Sequence, residues 1–229
     1  MRKILLFLIT INLGYAGYSQ DMTGLVMKVK AKLDQVNDYE ADGKMKTDVA
    51  FIKAPIGKVK VFYKKPNKFR LKKDGGISLL PKGGVSVNMS SIFATTDFVA
   101  LSAGEAVVDG TKTRIVKLLP VNESSDVVLT TLYIDEPNLL IKKATTTTRE
   151  NGTYGIEMSY GRFAQYGLPD KAVFSFNTKD YKLPKGLTLE FDDEKPTTEA
   201  EKLKNKKGRV EITYSNYIIN KGVSDAMFK

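Results

Sequence analysis

The sequence predicts a mainly β chain, a curved antiparallel sheet of about ten strands with one helix ahead of it. Three observations carry this. Residues 22–36 repeat apolar side chains at spacings of three and four, and from Tyr39 onward the period changes to two. Short polar turns then separate one alternating segment from the next, as in an up-and-down meander.

The helix comes first. Met22, Val26, Val29, Leu33 and Val36 form one apolar stripe, while Lys28, Lys30, Lys32 and Asp34 lie mainly off it. Asn37-Asp38 ends it. Tyr39, Ala41, Gly43, Met45, Thr47, Val49 and Phe51 then alternate with Glu40, Asp42, Lys44, Lys46 and Asp48. A strand so long and one-sided suits a strongly curved sheet wrapped round an interior. After the turn at Ala54–Gly57, Val59, Val61 and Tyr63 share one face and Lys58, Lys60 and Lys64 the other. Pro66 interrupts, and Phe69 and Leu71 alternate with Lys68, Arg70 and Lys72. The cations of this stretch therefore belong to a solvated strand face. Phe62 breaks the pattern and reads as a partner contact or an exposed aromatic.

Residues 85–106 do not alternate cleanly and read as one or two short, weakly amphipathic helices carrying Met89, Ile92, Phe93 and Phe98. Strand signals return at 112–120, 126–135, 139–149, 154–163, 171–177, 187–191 and 209–219. Asp135-Glu136-Pro137-Asn138 and Glu150-Asn151-Gly152 are hairpin turn signals. Residues 192–208 are charged and poor in apolar side chains, a solvated excursion between the last two strands.

Composition bounds the chemistry. Met1-Arg2-Lys3, the apolar run Ile4–Leu13 and the small residues Gly17 and Ser19 have the layout of a secretory signal peptide over residues 1–19. Residues 20–229 are then expected to be one exported domain, large enough to bury a core without disulfides. No cysteine occurs, which removes disulfides, thiolate metal sites and a lipid-anchored N-terminus. No histidine occurs either, which removes the commonest general base and the usual zinc sites. The net charge of +10 remains strongly positive once Arg2 and Lys3 leave with the leader. After export its anionic partners would be lipid headgroups or acidic glycolipids rather than nucleic acid, and the alternative reading is that the charge serves solubility alone. The acidic run Asp192-Asp193-Glu194 lacks the spacing of a calcium loop. No catalytic, cofactor or metal motif is found, and an enzyme is not expected.

What remains is a large apolar sheet face. Tyr39, Met45, Val49, Phe51, Val59, Val61, Tyr63, Phe69 and Leu71 supply it early. Ile156, Met158, Tyr160, Phe174, Phe176, Leu189, Val210 and Ile212 supply it late. Such a lining can hold an acyl chain at about 0.8 kcal/mol per buried CH₂ and needs only a movable cover.

The order of elements resembles the LolA/LolB family of periplasmic lipoprotein carriers. The likeness rests on the exported N-terminus, the amphipathic helix, the long amphipathic strand and the motif Lys65-Pro66-Asn67-Lys68-Phe69. It also rests on "LYIDEPNLLIKKATTTTRENGTYGIEMSYGRF", similar to the family's strand, Asp-x-Pro turn, strand, Gly turn and strand. The resemblance covers roughly residues 22–191. It implies an unclosed, half-open antiparallel β-barrel of about ten or eleven strands, with the N-terminal helix and short central helices as a lid. It further implies a periplasmic monomer that takes lipoprotein acyl chains or related lipids from an inner-membrane releasing complex to an outer-membrane acceptor. Ile92, Phe93 and Phe98 would then belong to the lid. Lys65 stands where the family commonly has an arginine that latches the lid, and lysine lacks that residue's planar fork. The competing readings are an exported β-rich structural or interaction protein with a closed core, a carboxylate-dependent hydrolase, and a sensor of envelope stress on a similar fold.

Overall fold

The computed structural model describes residues 22–48, 56–66, 68–73, 97–150, 152–177 and 207–228. One helix, α1 (Thr23–Leu33), precedes ten strands: β1 (Asp38–Asp48), β2 (Gly57–Lys64), β3 (Lys68–Lys73), β4 (Phe98–Val108) and β5 (Thr111–Pro120). The others are β6 (Val127–Asp135), β7 (Leu140–Thr148), β8 (Thr153–Ser159), β9 (Lys171–Asn177) and β10 (Lys207–Ile219). Short 3-10 turns lie at Ala164–Tyr166 and Asp225–Phe228.

All ten strands form one sheet in the order β3-β2-β1-β10-β9-β8-β7-β6-β5-β4, every neighbouring pair antiparallel. This is a ring-ordered meander opened between β3 and β4, the unclosed barrel expected. β10 lies against β1, with Tyr39 opposite Ile219 and Met45 opposite Ile212. A plain run of sequential hairpins would not bring the first strand to the last.

One face of the sheet carries the core. Ala41, Met45, Val59, Val61, Leu71, Val116, Leu132, Ile134 and Ile212 are at most 2% exposed. The stripe of α1 joins them, with Val26 and Val29 equally buried. Full burial of each such side chain stabilises the fold by about 1.5–3 kcal/mol.

Three departures from strict alternation matter. β10 carries an extra residue at Ser215, because Asp42 pairs with Asn216 and Gly43 with Tyr214. The bulge therefore turns both Tyr214 and Tyr217 into the core. β7 carries an extra residue at Lys142, since Tyr133 pairs with Lys143 and Ile134 with Ile141. β4 shifts register between Ser102 and Glu105, around Gly104 with its φ of +88°.

That last irregularity corrects an expectation. Residues 98–106 were expected to be helical, yet Phe98–Val108 is a strand. Small residues and the bulge at Gly104 blur its alternation, so its period of two is not visible in the sequence. The rest of that segment, with Met89, Ile92 and Phe93, lies outside the described residues, as do the leader, the expected strand 187–191 and most of the charged excursion. Phe62 is the second correction. It is 3% exposed on the face away from the core, with the Lys72 ammonium 5.5 Å from its ring centre. The C-terminal turn Asp225–Phe228 packs on β3 at this place.

Candidate functional site

The candidate site is the core face of the sheet with the helix that crosses it. Tyr39, Met45, Val59, Val61, Tyr63, Leu71, Ile156, Met158 and Ile212 are all buried there, with Tyr160, Phe69 and Val210 half-buried against them. Phe174 is also buried and stacks with Phe176 at 5.4 Å and Tyr154 at 5.7 Å. Val49, Phe51 and Leu189 lie outside the described residues. Phe98 sits half-buried at the start of the edge strand β4, packed against the core rather than on a lid helix.

Towards the end where β1 begins and β10 ends, the face is filled by aromatic rings. Tyr39 lies 5.3 Å from both Tyr63 and Tyr217, and Tyr217 lies 5.0 Å from Tyr214 and from Phe163. Tyr217 donates to the Pro169 carbonyl at 2.8 Å, and Tyr160 to the Ile141 carbonyl at 2.8 Å. Burial pushes the Tyr39, Tyr160, Tyr214 and Tyr217 phenols far above their ordinary value, and neighbouring tyrosines add to this at Tyr39 and Tyr217. They stay neutral near pH 7 and offer no base. Further along, Thr130 and Thr146 share a 3.2 Å hydroxyl contact inside the face. Among the described residues no cluster of His, Cys, Asp or Glu has the makings of a metal site.

The helix is tied to the sheet at both ends. At its start the Met22 N–H donates to the Ala100 carbonyl of β4 at 3.4 Å, and no side chain caps the first turn. At its finish four elements converge. Lys65, in the β2–β3 turn, donates to the Asp34 carbonyl and lies 3.6 Å from the Asp34 carboxylate. A cation on the last carbonyls of a helix complements its dipole, which Lys30 and Lys32 in the last turn also do. Lys32 reaches the Asn138 carbonyl in the β6–β7 turn at 2.7 Å, and burial lowers its pKa against the pull of Asp135. Asn138 is itself fixed by Asp135 at 2.9 Å. Asn220, at the end of β10, donates to the Gln35 carbonyl at 2.8 Å and accepts from the Asn37 N–H at 2.7 Å.

So α1 runs from β4 to the end of the sheet where the β2–β3 turn, the β6–β7 turn and the end of β10 meet. The two stretches that carried the resemblance, Lys65-Pro66 and Asp135-Glu136-Pro137-Asn138, are the turns that clamp its finish. Sequence reasoning singled out Lys65 but missed Lys32, Asn138, Asn220 and Tyr217. Those contacts join residues far apart in the chain, and Tyr217 faces inward only because of the bulge before it.

No protein-family model matches the chain, and no curated protein matches it significantly by sequence. Its fold does match solved structures. A DUF1329 family protein from Desulfovibrio piger aligns with a TM-score of 0.54 at 15% identity, over 90% of this chain and 95% of the other. An outer membrane lipoprotein-sorting protein domain from Vibrio parahaemolyticus aligns at 0.53 and 9% identity, over 90% and 95%. A LolA superfamily protein from Nitrosomonas europaea aligns at 0.51 and 10% identity, over 89% and 96%. With its single open ten-stranded sheet and crossing helix, the chain has a LolA-like fold.

Proposed function

We propose that this protein is an exported, periplasmic carrier that shelters the acyl chains of lipoproteins or related lipids on the core face of its sheet. The observation that carries the reading is the way α1 lies over the core face, with its apolar stripe packed on the sheet. At its finish Lys65 and Asn220 donate to the Asp34 and Gln35 carbonyls, and Lys32 of the helix donates to the Asn138 carbonyl. A helix held by packing and a few exchangeable polar contacts can move as a cover and give access to an apolar interior without breaking the sheet. The comparable fold of a lipoprotein-sorting domain supports the same reading. In this reading Lys65 is the latch, and delivery partners at the inner and outer membranes exchange the cargo.

The absence of cysteine makes a direct test possible. Met22→Cys with Ala100→Cys places thiols on two residues whose backbones are hydrogen-bonded across the α1–β4 junction. The oxidised pair is expected to lose uptake of a neutral fluorescent acyl probe, and reduction to restore it. Organic extract of the protein purified from the bacterial envelope is expected to contain lipid by mass spectrometry. Equal uptake by locked and unlocked protein would remove the carrier reading. A second reading is favoured by the tyrosine cluster, which fills part of the interior with the protein's own rings. In that reading the core is closed, and neither extract nor probe shows a ligand.

A further inference from the structure

The opposite face of the sheet holds a groove of about 540 Å³, closed on one side by residues 106–109 of the β4–β5 hairpin. Its floor is a cross-strand row on β6 to β9: Tyr133 beside Lys143, Lys143 beside Glu157, Glu157 beside Val173. The volume lies within the usual range for small-molecule sites.

The bulge in β7 is what arms this groove. By plain alternation with Ala144, Lys142 would point into the core; as the extra residue it lines the groove instead. Lys143 lies over the Tyr133 ring at 5.7 Å and is neutralised by Glu157 at 2.9 Å. Lys142 is half-buried and has no ion pair or hydrogen bond among the described residues. At the far end, Lys171 and Arg209 share the single carboxylate of Glu211, at 3.1 and 3.5 Å. On the hairpin side Val107 is 72% exposed, an aliphatic wall, with Asp109 next along the lining.

We propose that this groove is a second binding site, separate from the core face, for a small anionic amphiphile. Its acid group, phosphate or carboxylate, is taken by Lys142, and its apolar body lies between Val107 and the Tyr133–Val173 floor. A half-buried ammonium without a partner gains a charge-assisted hydrogen bond from such a ligand. The aliphatic wall distinguishes the ligand from a free anion.

The test is calorimetric titration of the full-length protein with lysophosphatidylglycerol below its micelle concentration, beside neutral lysophosphatidylcholine and inorganic phosphate. Lysophosphatidylglycerol is expected to bind most tightly. Lys142→Gln and Val107→Asp are each expected to weaken it about tenfold, while Lys142→Arg retains it. Both positions are partly or well exposed, and circular dichroism checks that the sheet is kept. The oxidised Met22→Cys/Ala100→Cys protein is expected to bind lysophosphatidylglycerol undiminished, which separates this site from the core face. Affinity unchanged in both variants, loss of binding on locking α1, or equal affinity for phosphate alone would each overturn the proposal.

Discussion

Lys65 joins a turn to the end of a helix thirty-one positions earlier, and two substitutions separate its charge from its shape. Lys65→Met removes the cation from the Asp34 carbonyl and is expected to lower stability by about 0.5–1 kcal/mol. It is also expected to speed uptake of the neutral acyl probe. Lys65→Arg keeps the charge, adds donors and is expected to slow uptake, which stopped-flow fluorescence measures. Gly43 is constrained in another way. A Cβ there would sit 2.7 Å from the Thr213 carbonyl oxygen, against the backbone of β10. Gly43→Ala is therefore expected to cost about 1–3 kcal/mol in urea unfolding, although the residue touches no candidate ligand position. The apolar alternation that predicted Met45, Val59, Val61 and Leu71 in the core was legible because a period of two is printed directly in the residues. Tyr217 and Lys142 were not legible. Each owes its direction to one extra residue in a strand, and a bulge has no signature in a single sequence.

The elements show the same division. α1 was readable from its stripe, and its real extent, Thr23–Leu33, falls inside the expected 22–36. How its finish is fastened was not readable, because its partners there come from turns on other strands. The C-terminal turn Asp225–Phe228 explains what the basic stretch 61–73 left open. Asp225 accepts from Lys64 at 2.9 Å and Lys68 at 3.0 Å, and these two ammonium groups hold its carboxyl down at about 2. The Met227 carbonyl accepts from Arg70 at 3.3 Å. Part of that cationic face is thus occupied by the chain's own tail, and Phe62 is buried beside it. Phe62→Ala is expected to cost about 3–4 kcal/mol in the full chain. The cost should be clearly smaller in a chain ending before Asp225, and the difference is their coupling. Equal costs in both would show that the tail does not cover Phe62.

At the scale of the molecule, the buried phenols set an upper pH limit. Tyr39, Tyr214 and Tyr217 are at most 7% exposed, and all three stay protonated in the folded state well above pH 10. In the unfolded chain they lose their protons near pH 10. Folding stability is therefore unaffected below about pH 10 and falls above it, by about 4 kcal/mol per pH unit for three such groups. Tyrosinate absorbance from these residues is expected to appear together with loss of the β-sheet circular dichroism signal, in one transition. Gradual titration ahead of unfolding would show that the cluster is open to water.

The ring order has a consequence for how the molecule is made. The strands β1 to β3 pair among themselves, and so do β4 to β9, so each group can form as soon as it leaves the ribosome. Neither is complete, because β1 and β9 each keep a bare edge until β10 enters between them. β10, the last of the described strands, is thus the keystone, and its contacts with β1 span nearly the whole described chain. Long-range pairing of this kind is slow and leaves adhesive edges exposed in the interval. A nascent or truncated chain without β10 is two unfinished sheets, each open to pairing with a stranger.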